Sequence, residues 1–371
     1  MDDQQNSEEN TISLKNRLSA LWQVVSVPVA AVILALLIGA ILLAVSGANP
    51  IEAYAALLEG SFGSMAAFGR TLAKATPLIF SGLAVAFAFK AGLFNIGAQG
   101  QLLFGALASA VAGFAITGLP PFLHATLSLL IGATAGALFA YIPGALKAYT
   151  GAHEVITTIM LNYVAINITD YIADGPLKDT SNGNVIARTP EILSSAKIPY
   201  IGEIPSGFFL AILAVVVVWW ILQRTTLGYE IRTVGLSPHA AKYAGMRVPF
   251  TIILTMVISG FLAGMGGAVE TLGIVGRYQP GFNAGLGFDG ITIALLGKTN
   301  PFGIIPAAIL IGAMKAGAST MQFEAGVAKE ITDVIQALML FFVTADMIVR
   351  KLIRSKADGD TGVTLSGWGQ K

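Results

Sequence analysis

Apolar runs about as long as a bilayer is thick recur along this chain, from Val24 to Val349, with little polar sequence between them. They fall at about 24–46, 75–89, 98–117, 123–146, 155–173, 206–222, 251–272, 287–297, 302–319 and 330–349. A helix needs roughly 20 apolar residues to cross about 30 Å of hydrocarbon. The chain is 55 % apolar and 12 % charged, where a soluble domain carries about 25 % charge. Too little polar surface remains to cover such segments in water, so a water-soluble enzyme is excluded and lipid is the solvent. The expected fold is all-α: a polytopic membrane protein of about ten transmembrane helices. The short runs 75–89 and 287–297 are the places where a span can be broken or re-entrant.

The pattern divides the chain into a polar tail at 1–23, a membrane domain at 24–350 and a second tail at 351–371. The run at 24–46 is too long for a signal-peptide core and has no clear small-residue cleavage site, so it is expected to be retained. Lys15, Arg17, Lys90, Lys147, Arg224, Arg232, Lys242, Arg247, Lys298, Arg350 and Lys351 fall on one side, and Lys178, Arg188, Lys197, Arg277 and Lys329 on the other. Cationic flanks favour the cytoplasm, which puts both termini inside. Pairs of small residues four apart, such as Gly132/Gly136 and Gly260/Gly264, suit close helix packing in lipid. Each short run adjoins a glycine-and-polar segment, 92–97 and 285–290. Five crossings per half is an odd number, so halves that are related must be related by inversion.

Net charge is +1, which gives no basic field to gather nucleic acid. With no cysteine there is no disulfide or thiolate chemistry, and His124, His153 and His239 lack zinc-ligand spacing, so no metal site is expected. No catalytic constellation stands out. Gly297-Lys298-Thr299 imitates the end of a phosphate-binding loop, but that loop needs a glycine where Thr292 stands. The chain is therefore not expected to hydrolyse ATP or to hold a cofactor of its own.

The segment from Phe89 to Gln101 is the most informative. Its four glycines discourage an unbroken helix, and Asn95, Gln99 and Gln101 place donors and acceptors where lipid cannot satisfy them. A broken helix bordering a substrate path fits, with Phe94, Asn95, Gln99, Gln101, Asn162 and Asn167 as its residues; an inside loop satisfied by its neighbours fits too. Interhelical hydrogen bonding explains Asn162 and Asn167 equally well. Amides with few buried charges suit a neutral, hydrogen-bonding solute, and Phe94 and Tyr163 could stack on a base or simply pack. Glu270, Asp289, Lys315 and Asp346 lie in or beside spans, where ionisable residues are functional candidates; an ion-coupled secondary transporter or channel would use them.

The loop 223–248 holds a short helix signature: Ser237 to cap, Pro238 at the first turn, His239-Ala240-Ala241-Lys242-Tyr243-Ala244 as the body and Gly245 to close. So short a helix is marginal alone in water, so something must hold it, whether a cytoplasmic partner or its own bundle. The polar loop 174–206 either meets an external protein or only links two helices.

Three stretches together, Phe89 to Gln101, His153 to Tyr163, and Val234 to Gly245 followed by Ser259 to Gly264, resemble the permease subunit of bacterial ABC importers. The likeness is to the superfamily handling branched-chain amino acids, ribose-type sugars and nucleosides, and within it to the nucleoside and simple-sugar branch. It implies a multi-pass protein of the bacterial cell membrane that pairs with a second permease, as a homo- or heterodimer. ABC ATPase subunits would bind ATP and Mg, and an extracytoplasmic solute-binding protein would deliver the solute. It further implies that Gly235, Leu236 and the helix Ser237–Gly245 couple to the ATPases.

Overall fold

The computed structural model describes residues 26–281 and 285–345, so the tails 1–23 and 351–371 and Asp346 lie outside the described residues. Each of the ten apolar runs contains a helix within these limits, and eight helices are long and apolar enough to cross a membrane. The first, α1 (Ser26–Val45), buries Val27, Ala31, Ala35, Gly39 and Leu43, one residue in four. Ile33, Leu37 and Ile41 on its other side are 51–61 % exposed. A stripe buried on protein with an apolar outer face is what a helix bathed in hydrocarbon presents.

Next comes α2 (Pro50–Phe62), started by Asn49, whose side chain accepts the Ile51 amide. Its 13 residues are too few to span, and it buries Ala53, Ala56, Leu57, Gly60 and Ser61. The next helix corrects the sequence expectation: α3 (Met65–Lys90) is 26 residues long, not a short run from 75. Arg70 and Lys74 had masked its first turns; both lie on its exposed face, while nineteen of its residues are buried.

The chain continues through α4 (Ala98–Ala115), α5 (Pro121–Thr150), α6 (Glu154–Asp174), a hairpin of β1 (Tyr200–Ile201) and β2 (Ile204–Pro205), and α7 (Ser206–Arg224). Two short helices, α8 (Thr226–Leu236) and α9 (Pro238–Tyr243), precede α10 (Val248–Glu270), which runs into a π-turn over Thr271–Val275. The last three are α11 (Leu286–Leu296), α12 (Pro301–Ala325) and α13 (Glu330–Thr344). Only 11 residues long, α11 rises about 16 Å at 1.5 Å per residue, about half the hydrocarbon core. The expectation of an interrupted span at 287–297 thus matches a half-helix. Gly297-Lys298-Thr299 is the corner between α11 and α12, with Lys298 and Thr299 both left-handed at φ 51° and 53°.

Helix α3 packs against α10, α11 and α12, and α10 packs against α3, α4 and α5. Each leads a three-helix unit, α3–α4–α5 or α10–α11–α12, and rests on all three members of the other. The two leaders run in opposite directions: α3 ends, and α10 begins, at the end of the bundle that carries α9. An inverted repeat would pack in this way.

The contact between α4, α5 and α10 is made by glycine. A Cβ on Gly264 would lie 2.7 Å from the Gly132 carbonyl oxygen, one on Gly136 2.7 Å from Gly264 Cα, and one on Gly132 2.7 Å from the Gly105 carbonyl oxygen. The backbones therefore touch, as small-residue packing in lipid requires. Inserting side-chain volume there costs about 1–3 kcal/mol or more. Gly136→Leu is expected to lower the melting temperature of the detergent-solubilised protein sharply and to reduce the monodisperse yield. Thr134→Leu, two residues away on the exposed face of α5, is expected to leave both unchanged; equal melting of the two variants would contradict the packing.

Candidate functional site

The interruption between α3 and α4 is built from local signals. Helix α3 closes at Gly92, left-handed at φ 68°, with the Gly92 amide on the Phe89 carbonyl at 3.0 Å and the Leu93 amide on the Ala88 carbonyl at 3.1 Å. The buried Leu93 anchors the exit, and the chain then turns back into the bundle. Asn95 donates from Nδ2 to Ser259 Oγ at 2.8 Å, and Ser259 donates to the Ala84 carbonyl at 2.6 Å. Ala84 lies six residues before the end of α3, so the loop re-enters by about 9 Å at 1.5 Å per residue.

Four amides hold this re-entrant loop, and each is 2 % exposed or less. Asn95 and Gln101 bond reciprocally, Nδ2 to Oε1 at 2.9 Å and Nε2 to Oδ1 at 3.1 Å. Asn162, on α6, accepts the Gly100 amide at 2.9 Å and donates to the Ile96 carbonyl at 2.9 Å. Gln99 Oε1 accepts the Gly287 amide at 2.8 Å, in the first turn of the half-helix α11. Ser81, on α3, donates to the Leu286 carbonyl at 2.9 Å. The two interrupted segments therefore meet in the interior, their free backbone groups met by side chains. Ser81 and Ser259 are the partners sequence reasoning missed; a buried serine in an apolar run carries no signal until its neighbour is known.

The other candidates separate from this cluster. Asn167 does not share the interior with Asn162: it is exposed, and its Nδ2 donates to the Tyr163 carbonyl of its own helix at 2.7 Å. Tyr163 is 62 % exposed, while Phe94 packs on Phe89 with ring centroids 4.9 Å apart, so the two aromatics frame no common pocket. Asp289 pairs with Lys315 at 3.0 Å and accepts from Gln336, which ties α11 to α12 and α13. His124 spends Nδ1 on Ser195 Oγ at 2.8 Å and Nε2 on the Ala112 carbonyl at 3.2 Å.

The short helix α9 forms as its sequence signals direct. Ser237 Oγ accepts the Ala240 amide at 3.2 Å, Pro238 takes the first position, and Gly245 turns left-handed at φ 83° while the Met246 amide reaches the Ala241 carbonyl at 3.0 Å. Ala241 is its one buried residue; Leu236 and Tyr243 at its two ends are 87 % and 93 % exposed. The preceding helix is seated directly on the interruption: a Cβ on Gly235 would lie 2.9 Å from Ala91 C and 3.0 Å from Gly92 N. Lys90, at the same corner, donates to Thr299 Oγ1 at 2.8 Å between α11 and α12.

Residues 67–344 match the family model described as the permease component of the branched-chain amino acid transport system. The chain belongs to this permease family. It is 43 % identical over 334 residues to the guanosine ABC transporter permease protein NupP of Bacillus subtilis, covering 87 % of this chain and 94 % of that one. It is 36 % identical to the nucleoside ABC transporter permease protein NupB of Lactococcus lactis subsp. cremoris, over 89 % and 93 % of the two chains. With the glucose ABC transporter permease protein TsgB13 of Haloferax volcanii the identity is 33 %, over 89 % and 90 %.

The loop 175–205 of the permease is anchored to the far end of α10. The Thr189 amide bonds the Tyr278 carbonyl, Ile192 that of Gly276 and Ile198 that of Leu272, at 2.9, 2.9 and 3.0 Å. Ion pairs clasp the loop: Asp179–Arg188 at 3.5 Å, Glu191–Lys197 at 2.7 Å and Glu191–Arg277 at 3.3 Å. The Asp179 carboxyl is held below its ordinary range first by the Ser181 hydroxyl and amide, then by Arg188 and Arg277. Lys197 and then Arg277 do the same for Glu191.

Depressed carboxylates add stability above their unfolded values, 3.8 and 4.5, and lose it only as pH falls below those values through the folded ones. Proteolysis within 175–205 is therefore expected to be equally slow at pH 7 and pH 5 and to quicken only in stronger acid; release by pH 5 would contradict the clasp. Truncating Asn162 strands the buried Gly100 amide, at about 1–3 kcal/mol, and frees the part-buried Ile96 carbonyl. Asn162→Ala is expected to lower the melting temperature clearly, with Asn167→Ala indistinguishable from wild type; the reverse order would overturn the assignment.

Proposed function

We propose that this chain is one transmembrane subunit of an ATP-driven ABC importer in the bacterial cytoplasmic membrane. Its cargo is a neutral polar solute, a nucleoside first and a simple sugar next. The names of its relatives, guanosine, nucleoside and glucose permeases, support that order. The observation that carries the mechanism is α9: a capped helix with one buried residue and large bare side chains at both ends. Such a helix is marginal by itself, and exposed Leu236 and Tyr243 suit insertion into a groove on a cytoplasmic ATPase. ATP and Mg are bound there, in the partner, and the α9 end is the cytoplasmic one, as the Lys and Arg distribution favours.

Motion of the ATPases would pull on α9 and α8, and through Gly235 on the corner at Lys90–Gly92. The corner connects to both interrupted segments, by the chain itself to 93–97 and by Lys90 to the α11–α12 turn. A second permease, identical or different, supplies the other half of the pathway, and the anchored loop 175–205 offers the surface for a solute-binding protein. In this mechanism Asn95, Gln99, Gln101 and Asn162 position the backbone beside the path and do not bind the solute in the closed state. Asp289 is engaged by Lys315 at 3.0 Å, and Lys315 also lies 4.0 Å from Asp333, contacts that tie α11, α12 and α13 together.

Two measurements test this. Leu236→Ala combined with Tyr243→Ala is expected to weaken co-purification of the ATPase subunits by about thirtyfold in affinity, the scale of one interface hot spot, without changing the permease's own melting temperature. The intact complex in proteoliposomes is expected to accumulate guanosine with ATP and binding protein and to do nothing on an ion gradient. Accumulation by this chain alone on an ion gradient would overturn the proposal in favour of a secondary transporter.

A further inference from the structure

Of the eight long helices α6 is the least buried, at 22 %, yet it ties with α4 for the lowest mean hydropathy, although α4 is 72 % buried. Lipid demands the opposite. The next least buried, α1 and α7 at 28 % and 33 %, have the highest mean hydropathy, and their bare residues, such as Leu37 and Ile41 on α1 and Phe209 and Leu213 on α7, are apolar.

Helix α6 buries Glu154, Thr158, Asn162, Ala165, Thr169 and Ala173 in one stripe against the bundle and turns Met160, Tyr163 and Asn167 outward. Asn167 sits at the centre of that outer face, about 140° round the helix from Asn162 at 3.6 residues per turn. The helix runs outward from the α9 end over 21 residues. Tyr163 and Asn167 therefore lie within about 5 Å of its midpoint at 1.5 Å per residue, deep inside a hydrocarbon core of about 30 Å. Asn167 makes one bond, from Nδ2 to the Tyr163 carbonyl; its Oδ1 and the Tyr163 hydroxyl have no partner among the described residues. Hydrocarbon cannot satisfy a bare amide at this depth, and tyrosines that face lipid gather near the headgroups instead. Each carboxyl of the helix is engaged: Glu154 by Lys147 at 2.9 Å, Asp170 by the Tyr278 hydroxyl and Asp174 by Lys178 at 2.8 Å. What the face offers at mid-membrane is thus a neutral donor and acceptor beside an aromatic ring and the Met160 side chain.

We infer that this face of α6 is a wall of the water-filled solute path, with Tyr163 and Asn167 as its mid-membrane contacts for a solute that has a polar edge and an apolar face, as a nucleobase has. The second permease closes the path opposite. Asn162, on a different face of the same helix, holds Ile96 and Gly100, so the interruption lies directly behind this wall. The inference rests on the proposed import of such solutes and adds which surface they touch.

The chain has no cysteine, so a single introduced thiol reports on its own surroundings. Asn167→Cys and Tyr163→Cys are compared with Leu213→Cys, which replaces a residue 57 % exposed near the middle of α7. Each is assembled with its partners in proteoliposomes, and a charged, water-soluble methanethiosulfonate is added during ATP turnover with binding protein. Labelling is read as mass added to this chain. The reagent needs a thiolate, which forms in water and not in hydrocarbon, so positions 163 and 167 are expected to label about tenfold faster than 213, or more. Labelling at both no faster than at 213, as lipid or a dry contact with the second permease would give, overturns the wall. Asn167→Leu removes the donor and the acceptor at similar volume. It is expected to melt as wild type and to lower guanosine uptake about fivefold, the scale of one neutral hydrogen bond; uptake at the wild-type rate overturns the solute contact. Failure of the nucleoside reading shows separately, in a wild-type complex that carries glucose and no guanosine while 163 and 167 still label fast; the Asn167→Leu comparison is then made with glucose.

Discussion

A chain that stops being helical inside a bilayer must find partners for its backbone within the protein, because hydrocarbon offers none. The structure is organised around that requirement at 91–97 and at the start of α11. Asn162 serves Gly100 and Ile96, Gln99 serves Gly287, and Ser81 serves Leu286. Without these donors and acceptors the loop could not lie beside Ser259 and Ala84, where Asn95 holds it. The amides expected at a solute path, Asn95, Gln99, Gln101 and Asn162, also bond the two interruptions together.

The rest of the bundle makes room for that arrangement. Glycines at 105, 132, 136, 260 and 264 let α4, α5 and α10 meet backbone to backbone, and the same closeness gives the carbonyl of one helix no space for a side chain on the next. At the corner of Lys90 to Gly92 the end of α8, just before α9, rests on the interruption with backbone contact equally close. At the other end the loop 175–205 is tied to the π-turn of α10. Both ends of the permease thus address the central helices through direct backbone contact.

What could be read from the sequence follows the range of the signals. Helix α9 was legible to within one residue, its body ending at Tyr243 and not Ala244, because Ser237, Pro238 and Gly245 act within one or two turns. The interruption after α3 was legible because glycine and amides are conspicuous in an apolar run. Asn167 and Tyr163 were misplaced because α6 is mildly polar all round, and nothing in its pattern says which side faces α4. Arg70 and Lys74 hid the start of α3, since two cations on the exposed face of one helix end read as a loop. Helix α2 fell below the length that marks a span.

The central claim is that the interruption is a unit held by the bonds of Asn162 to Gly100 and Ile96 and of Gln99 to Gly287, and that these persist through the transport cycle. It is tested most directly by hydrogen–deuterium exchange at the amides of Gly100 and Gly287, in the complete importer in nanodiscs, at rest and during ATP turnover. Exchange as slow as in the middle of α3 and α10 under both conditions is the predicted result. Exchange at the rate of an unstructured peptide in either condition would mean that Asn162 and Gln99 release the backbone, and would contradict the account.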